Sequence, residues 1–197
     1  MRDRGDGPES RKASRGKRTA HRRGIVGVPA NESWTLQSSR LLLNPMVQGD
    51  AGELFTLLRE PALHGFTGNA PPASAVDLQE KIRRWESRQS PTRDELWLNW
   101  TLRLKTSGIA VGFIQATYAE RRVDLAWVIG VPFQGRGYAI EASCRVAAWF
   151  RDAYDLADLR ASIHPDHIAS QRVAMHLGLQ PSGEFTDEGE ELWVARC

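Results

Sequence analysis

The sequence predicts an α+β (mixed α/β) fold in which a mostly antiparallel sheet of about seven strands carries helices on both faces. Alternating apolar residues at 95–104 indicate a half-buried strand, and the nearly all-apolar segment 109–118 indicates a central one. A strand, a long helix and a second strand follow between residues 123 and 163. Since a helical crossover joins parallel strands and short turns join antiparallel ones, we expect one central parallel pair.

The predicted elements follow the order β-α-α-β-β-β-α-β-α-β-β. Before the central strands we expect a short strand at 40–43 and two helices. Asp50 with Glu53 forms a plausible capping box for the first helix, and Ser74 with Asp77 could cap the second. After the crossover come a helix that starts near 165–166 and ends at Gly178, and a closing hairpin with strands near 185 and 192–194.

Charge is divided unevenly along the chain. Residues 1–24 hold nine Lys and Arg against three Asp and Glu, a net +6, which leaves −4 for the remainder because the whole chain carries +2. Residues 1–33 also lack hydrophobic periodicity, which predicts a disordered basic tail ahead of a single domain at 34–197. The tail could attract nucleic acid, but we expect a solvated extension and no nucleic-acid partner.

Composition argues against several functional classes. No apolar run approaches the ~20 residues of a membrane-spanning helix, so no membrane partner is expected. Cys144 and Cys197 are too few for a disulfide framework, which favours a reducing, cytoplasmic setting. No spacing of Cys and His residues indicates a metal site. We expect a monomer or a homodimer.

A glycine-rich turn joins the strand that ends near Ile129 to the following helix. Its sequence over residues 134–139 is Gln-Gly-Arg-Gly-Tyr-Ala. Glycines let a backbone approach a ligand closely, and the first N–H groups of a helix lack internal partners and favour negative charge. The pattern therefore predicts a cradle for a phosphorylated ligand.

Three phosphate-binding motifs could account for this turn. A P-loop requires Gly-x4-Gly-Lys-Ser/Thr, which the chain lacks. A dinucleotide-binding fingerprint requires a small residue where Ile140 stands and an acidic residue near His164. The third motif, Gln/Arg-x-x-Gly-x-Gly/Ala, is satisfied by Gln134, Gly137 and Ala139.

With this third motif the chain resembles the GNAT superfamily of acyl-CoA N-acyltransferases, and it looks closest to the branch that includes the ribosomal-protein N-terminal acetyltransferases. The resemblance extends from about Trp34 to the C-terminus. It rests on the motifs at 39–43, 129–131, 134–142, 169–170 and 177–179. The order of these motifs, rather than the loop alone, makes the resemblance specific, and it implies a GNAT-like sheet with a splayed central parallel pair.

The resemblance implies that acetyl-CoA binds as co-substrate in the gap between the strands ending at Ile129 and Ile163. The pyrophosphate would be held by backbone N–H groups of the turn, those of Gln134, Gly135, Arg136, Gly137, Tyr138 and Ala139. The pantetheine arm would pair with the main chain of Ile129, Gly130 and Val131, as a peptide pairs with a sheet edge. The Arg136 side chain either adds charge near a phosphate or is solvated.

Acyl transfer to an amine requires the neutral amine, which at pH 7 costs about 4–5 kcal/mol for a lysine-like group and about 1 kcal/mol for an α-amine. Asp124 stands where the branch usually has a glutamate, so its shorter side chain would act as a base through water. The alternative is a solvent-facing carboxylate. Ser170 matches a serine that could bind the cofactor or protonate the thiolate, and the alternative is a structural hydroxyl.

Two positions depart from the family pattern. His167 stands where the family commonly has an asparagine that contacts pantetheine, and it could still donate a hydrogen bond there. Ala174 stands where many members have a tyrosine acid, which leaves that role to the serine or to water. His64, Trp85 and Trp97 are candidates for lining the acceptor pocket.

The resemblance and these residues together predict an acyltransferase, an acetyl-CoA-dependent N-acetyltransferase. It would act by direct transfer in a ternary complex, because no well-placed cysteine offers a covalent intermediate. The acceptor would be a primary amine of a protein N-terminus or a small molecule. A non-catalytic acyl-CoA-binding or regulatory module is the alternative, since the usual asparagine and tyrosine are missing, and nucleic-acid binding by the basic tail is a third possibility.

Overall fold

The computed structural model describes residues 34–66 and 70–196. The predicted basic tail at 1–33 lies outside these residues, so its disorder and the domain boundary stay predictions. The strands are β1 (Leu36–Gln37), β2 (Leu41–Pro45), β3 (Leu96–Leu104), β4 (Ala110–Ala119), β5 (Arg122–Ile129), β6 (Asp158–Ile163), β7 (Gln180–Phe185) and β8 (Glu191–Arg196). The α-helices are α1 (Ala51–Leu58), α2 (Ala75–Trp85), α3 (Tyr138–Ala153) and α4 (Ile168–His176).

All strands of the described chain belong to one sheet with the order β1-β2-β3-β4-β5-β6-β8-β7. Every neighbouring pair is antiparallel except β5 and β6. This confirms the predicted mixed sheet with one parallel pair. The sheet has eight strands rather than seven, because the two-residue β1, in which Leu36 pairs with Leu43, is too short to give a sequence pattern.

The parallel pair of strands separates after three residues. Residues 122–124 of β5 pair with residues 158–160 of β6, and the pairing stops there. Beyond that point β5 continues along β4 as far as Ile129, while β6 continues along β8 as far as Ile163. The two strands therefore diverge toward their C-terminal ends, as the family resemblance implied.

Helices cover both faces of the sheet, as predicted. On one face α3 and α4 pack on the larger core, in which Trp100, Ile114 and Phe150 are fully buried. On the other face α1 and α2 form a smaller cluster around Phe113 of β4 and Ile82. We refer to the face of the sheet under α3 and α4 as the α3 face, and to the face under α1 and α2 as the α1 face. No helix in the described part of the chain is both long enough and apolar enough to cross a bilayer.

The predicted capping box of α1 is wrong, whereas the predicted cap of α2 is confirmed. The buried Asp50 carboxylate gives no cap to α1; it accepts hydrogen bonds from Thr101 Oγ1 and Arg103 Nη2, each at 2.7 Å. The Asp50 side chain therefore binds residues on β3 and not the N-terminus of α1, to which the local pattern assigned it. In α2, Ser74 accepts a hydrogen bond from the Asp77 N–H at 3.0 Å.

Candidate functional site

The turn between β5 and α3 takes its shape from one proline and two glycines. Pro132 lies in a short 3-10 turn at Val131–Phe133, and Gly135 and Gly137 follow with φ of 73° and 78°. These values belong to the left-handed region, where a side chain is disfavoured and glycine is not. Gly137 is the N-cap residue, and α3 begins at Tyr138.

The first N–H groups around the start of α3 are free to bind a ligand. Within the described residues, no hydrogen bond uses the backbone N–H groups from Gly135 to Ala139. A run of unpaired N–H groups at the N-terminus of a sixteen-residue helix favours a bound anion. The turn is therefore suited to an anion such as a phosphate group, and the pyrophosphate that the resemblance implied there stays a prediction.

The end of β5 is tied into the protein more tightly than the sequence suggested. The Gly130 N–H donates to the Val111 carbonyl at 2.9 Å, and the Gln134 side-chain amide donates to the Ile129 carbonyl at 3.0 Å. A Cβ on Gly130 would lie 2.8 Å from a terminal methyl of Leu57, so a larger residue there would require that side chain to move. Pairing of pantetheine with residues 129–131 would have to share or displace the Gln134 amide.

Glu141 in the first turn of α3 points away from the cradle. Its carboxylate accepts hydrogen bonds from the Ser38 hydroxyl at 2.7 Å and from the Arg40 backbone N–H at 2.6 Å, and the Arg40 Nε contributes a further bond at 2.6 Å. Burial opposes ionisation, but these hydrogen bonds lower the pKa of Glu141 overall. The carboxylate therefore does not repel an anion at the turn. The Arg136 side chain is exposed.

Asp124 lies at the last paired position before β5 and β6 separate. It is opposite Thr117 on β4 and Arg160 on β6, and its side chain is 46% exposed. Burial raises the pKa of Asp124, and the nearby Glu95 carboxylate adds to the increase. The Arg122 and Arg160 guanidinium groups oppose the rise in pKa. The carboxyl group is therefore poised to take a proton more readily than an ordinary aspartate.

On the other side of the gap, the start of α4 carries the remaining predicted residues. His167 is the N-cap residue of α4, and Ser170 is the third residue of the helix. The His167 ring stacks on Phe66, with ring centroids 4.6 Å apart, and His164 lies 5.4 Å from the same ring. Burial, together with the nearby His164, lowers the pKa of His167. His167 is therefore held as a neutral ring beside the loop that follows α1.

A shallow cavity of about 140 Å³ opens on the α1 face of the sheet. It is lined by Trp85, Trp97, Asn99, Gln115 and Thr117. The last of these residues is the antiparallel partner of Asp124, which places the carboxylate next to the cavity. Two of the lining amides are hydrogen bonded to each other, at 2.7 Å.

The two tryptophans were among the residues expected at an acceptor pocket, but His64 does not line this cavity. The His64 Nε2 is 2.7 Å from the Leu58 carbonyl, so the ring is engaged at the end of α1. Asn99, Gln115 and Thr117 were missed. They are the polar positions between buried ones on β3 and β4, but the sequence pattern predicted only a half-buried strand at 95–104 and an apolar central strand at 109–118.

The predicted site residues therefore fall into two groups on opposite sides of the gap. The turn at 134–139, the end of β5 and Asp124 lie on one side, and His167 and Ser170 lie on the other at the start of α4. No group of three or more His, Cys, Asp or Glu side chains in the described ranges is arranged to hold a metal ion.

Comparison with known proteins identifies the family of the domain. The family model described as an acetyltransferase (GNAT) domain matches residues 40–180, which include the turn and both groups of predicted site residues. A curated relative, the uncharacterized N-acetyltransferase YnaD of Bacillus subtilis (strain 168), is 28% identical over 79 residues. That match covers 39% of this chain and 46% of the relative, so it spans less than half the relative's length.

Solved structures share the fold at low sequence identity. A GNAT-family acetyltransferase from Bacillus anthracis matches with a TM-score of 0.67 and 17% identity, over 83% of this chain and 97% of the other. A spermidine N-acetyltransferase from Vibrio cholerae, in complex with CoA and spermine, matches with a TM-score of 0.66 and 14% identity. That match covers 80% of this chain and 96% of the other. At these identities the structures bear on the fold alone.

Proposed function

This chain belongs to the acetyltransferase (GNAT) family, and from that premise we propose that it transfers an acetyl group from acetyl-CoA to a primary amine in a ternary complex. The family makes the chain an acyltransferase. The acetyl donor, the amine acceptor and the residues that act on them are our proposal. The acceptor is a protein N-terminus or a small-molecule amine.

One observation carries the proposal: β5 and β6 stop pairing after Asp124, and the unpaired N–H groups of the turn lie directly beyond the end of β5. The separation leaves a slot in the sheet, and the turn offers an anion site at one end of it. A ligand with an extended arm and a pyrophosphate matches this combination. The spermidine N-acetyltransferase that shares the fold is a CoA complex, which supports the same donor here.

Acetyl-CoA supplies the acetyl group as a thioester. In our proposal the unpaired N–H groups from Gly135 to Ala139 hold its pyrophosphate, whereas the Gln134 N–H donates to the Val131 carbonyl at 3.3 Å. The main chain at Ile129, Gly130 and Val131 holds the pantetheine arm. The Val131 N–H has no acceptor within the described residues, so it is available to donate to the arm or to a developing oxyanion. His167 contacts the arm from the opposite side of the slot.

Asp124 is proposed to accept the amine proton through water. The aspartate lies beside the cavity that the acceptor would enter, and its raised pKa favours uptake of a proton. A lysine-like amine needs about 4–5 kcal/mol to become neutral at pH 7, so a nearby base accelerates its reaction more than that of an α-amine. Ser170, in the first turn of α4, is proposed to protonate the departing thiolate or to bind the donor.

The direct test is a search for acetylated products. Purified protein would be incubated with acetyl-CoA and a panel of peptides and small amines, with mass spectrometry to detect products and a thiol assay to detect CoA release. We expect acetyl transfer to at least one primary amine. Tight CoA binding without thiol release on any acceptor would contradict the enzymatic proposal and would support a non-catalytic acyl-CoA-binding module.

The phosphate cradle has its own test in Gly137→Glu, with Gly183→Glu as the matched control. Both glycines have φ near +79°, so backbone strain is similar in the two variants. Only Gly137 lies in the cradle, where a carboxylate would oppose the pyrophosphate. We expect Gly137→Glu to weaken CoA binding at least about 100-fold and Gly183→Glu to leave it unchanged. Equal CoA affinities, measured by calorimetry, would show that the turn is not the phosphate site.

A further inference from the structure

We propose that Arg40 is a positioning residue for the phosphate cradle at 134–139. Its guanidinium group fixes the orientation of the peptide unit between Arg136 and Gly137. Arg40 lies immediately before β2, far from the turn in sequence. It contacts the Arg136 carbonyl and the Tyr138 ring, but none of the N–H groups proposed to bind acetyl-CoA. The inference rests on the proposed function, since it assigns a role in holding the same ligand.

A hydrogen bond joins the Arg40 side chain to the backbone of the turn. The Arg40 Nη1 donates to the Arg136 carbonyl oxygen at 3.0 Å. A trans peptide unit is planar, so its C=O and N–H bonds point in opposite directions. Fixing the Arg136 carbonyl toward Arg40 therefore aims the Gly137 N–H away from Arg40, where it remains available to a ligand.

Arg40 is itself held by three further contacts. Its Nε and its backbone N–H each donate to the Glu141 carboxylate at 2.6 Å. Its guanidinium carbon lies 4.7 Å from the centre of the Tyr138 ring, within the range of a cation–π contact. The Ser38 hydroxyl donates to the same carboxylate at 2.7 Å, which fixes the orientation of Glu141.

We call the contacts of Arg40 with Arg136, Tyr138 and Glu141 the clamp. The clamp matters because the turn has little rigidity of its own. Gly135 and Gly137 flank the peptide bonds concerned, and glycine has more accessible backbone conformations than other residues. Rotation of the peptide unit between Arg136 and Gly137 would replace an N–H donor with a carbonyl oxygen facing the phosphate. Holding the carbonyl in place excludes that arrangement before the ligand arrives.

Arginine can perform all of these tasks together and lysine cannot. The planar guanidinium group donates from Nε and Nη1 in different directions while its face lies on an aromatic ring. A lysine ammonium could replace one of these contacts at a time. Arg40→Lys keeps the positive charge but cannot make these contacts simultaneously, so it tests positioning rather than electrostatic attraction.

The control variant is Arg145→Ala. Like Arg40, Arg145 links α3 to the segment around β1, but from the helix side: its Nε donates to the Gln37 carbonyl at 3.1 Å. No contact joins Arg145 to the turn within the described chain. It shares the structural task of holding this segment on the helix. If Arg40 only stabilised the packing of β1 and β2 on α3, the two variants would behave alike.

The experiment compares two donors by calorimetry and steady-state kinetics, and it examines the ligand-free proteins by NMR. S-acetylpantetheine has the arm of acetyl-CoA without the pyrophosphate, so it does not depend on the cradle. For Arg40→Lys we expect the Kd for CoA, measured by calorimetry, and the KM for acetyl-CoA to rise about tenfold. We expect kcat to be unchanged, together with kcat/KM for S-acetylpantetheine. In the ligand-free variant, NMR relaxation dispersion should detect exchange of the Gly137 amide that the native protein lacks.

Several results would overturn the inference. Equal losses with both donors, or equal losses in Arg40→Lys and Arg145→Ala, would mean that Arg40 acts through stability alone. Native and Arg40→Lys proteins that bind CoA equally would overturn the clamp and leave the proposed function intact. A native protein that does not bind CoA would overturn both. If Arg40→Lys unfolds, Glu141→Gln weakens the same clamp through its anchor, and the same comparison of donors decides the outcome.

Discussion

The two faces of β3, β4 and β5 are made of alternating residues from the same segments, yet they serve different purposes. On the α3 face Leu98, Ile114 and Leu125 are almost completely buried under helices. On the α1 face, the residues that alternate with these in β3 and β4 line an open cavity, and the corresponding residue of β5 is Asp124. Because successive strand residues point to opposite faces, one stretch of sequence builds both surfaces.

The difference separates the part of the sheet that is packed for stability from the part to which we assign the chemistry. The α3 face is apolar and closed, so substitutions there should change stability first. The α1 face is closed only where α1 and α2 reach it, and the uncovered part carries amides, indoles and a carboxylate beside the gap between β5 and β6. Substitutions there should change ligand binding or catalysis while the fold survives.

The largest expected effect is on the closed face, at Phe150. This side chain of α3 is fully buried, stacks with Tyr118 and packs against the tilted ring of Tyr154. Phe150→Ala should lower the free energy of unfolding by about 3–5 kcal/mol, through lost burial and the cavity left behind. Urea denaturation would measure it. Gln115→Ala, on the open face, should lower the free energy of unfolding by no more than about 1 kcal/mol. Similar losses would remove the distinction between the faces.

A large effect on catalysis with little effect on stability is expected at Asp124. Asp124→Asn should lower kcat about 100-fold, because the amide cannot accept a proton. The raised pKa also means that the native activity should decline on acidification at a higher pH than for an ordinary aspartate, and that this decline should vanish in the variant. Measurement of kcat against pH would detect both changes.

The stability of the Asp124→Asn variant should differ from its activity in the direction of the change. A carboxyl group whose pKa is raised by folding binds its proton more tightly in the folded state, so its charged form opposes folding as pH rises through that pKa. Asp124→Asn should therefore be no less stable than the native protein at pH 7. Asp155→Asn is the control, since Asp155 is 79% exposed and paired with Arg121 outside the cavity, and its activity should be unchanged. A kcat equal to the native value in Asp124→Asn would remove Asp124 from the mechanism.

The smallest expected effect is at Trp97 on the open face. Its indole lines the cavity, and its Nε1 donates to the Glu95 carboxylate at 2.9 Å. Trp97→Leu should raise the KM for the amine acceptor about threefold to tenfold through lost contact area, with little change in kcat. The KM for acetyl-CoA is the internal control and should not change. A change confined to the donor would place the acceptor elsewhere.

Much of the fold could be predicted because its signals are local. The alternation along β3, the apolar run of β4 and the Ser74 cap of α2 each depend on neighbouring residues, and all three appear in the structure. The Asp50 cap failed because a distant partner, Thr101, competes for the same carboxylate. His176 lies at helical spacing from Val173, yet it is exposed, because α4 buries Val173 and Ala174 instead.

The sequence by itself determined where the turn can adopt a left-handed backbone, because Gly135 and Gly137 permit a conformation that few other residues adopt, and it determined which strand residues are apolar. Only the tertiary structure decided where β5 and β6 part, which polar positions share a cavity with Asp124, and that Arg40 reaches Glu141 across 101 residues of chain. The first set depends on local backbone preferences and the second on contacts between distant segments. Those contacts exist only once the sheet is assembled.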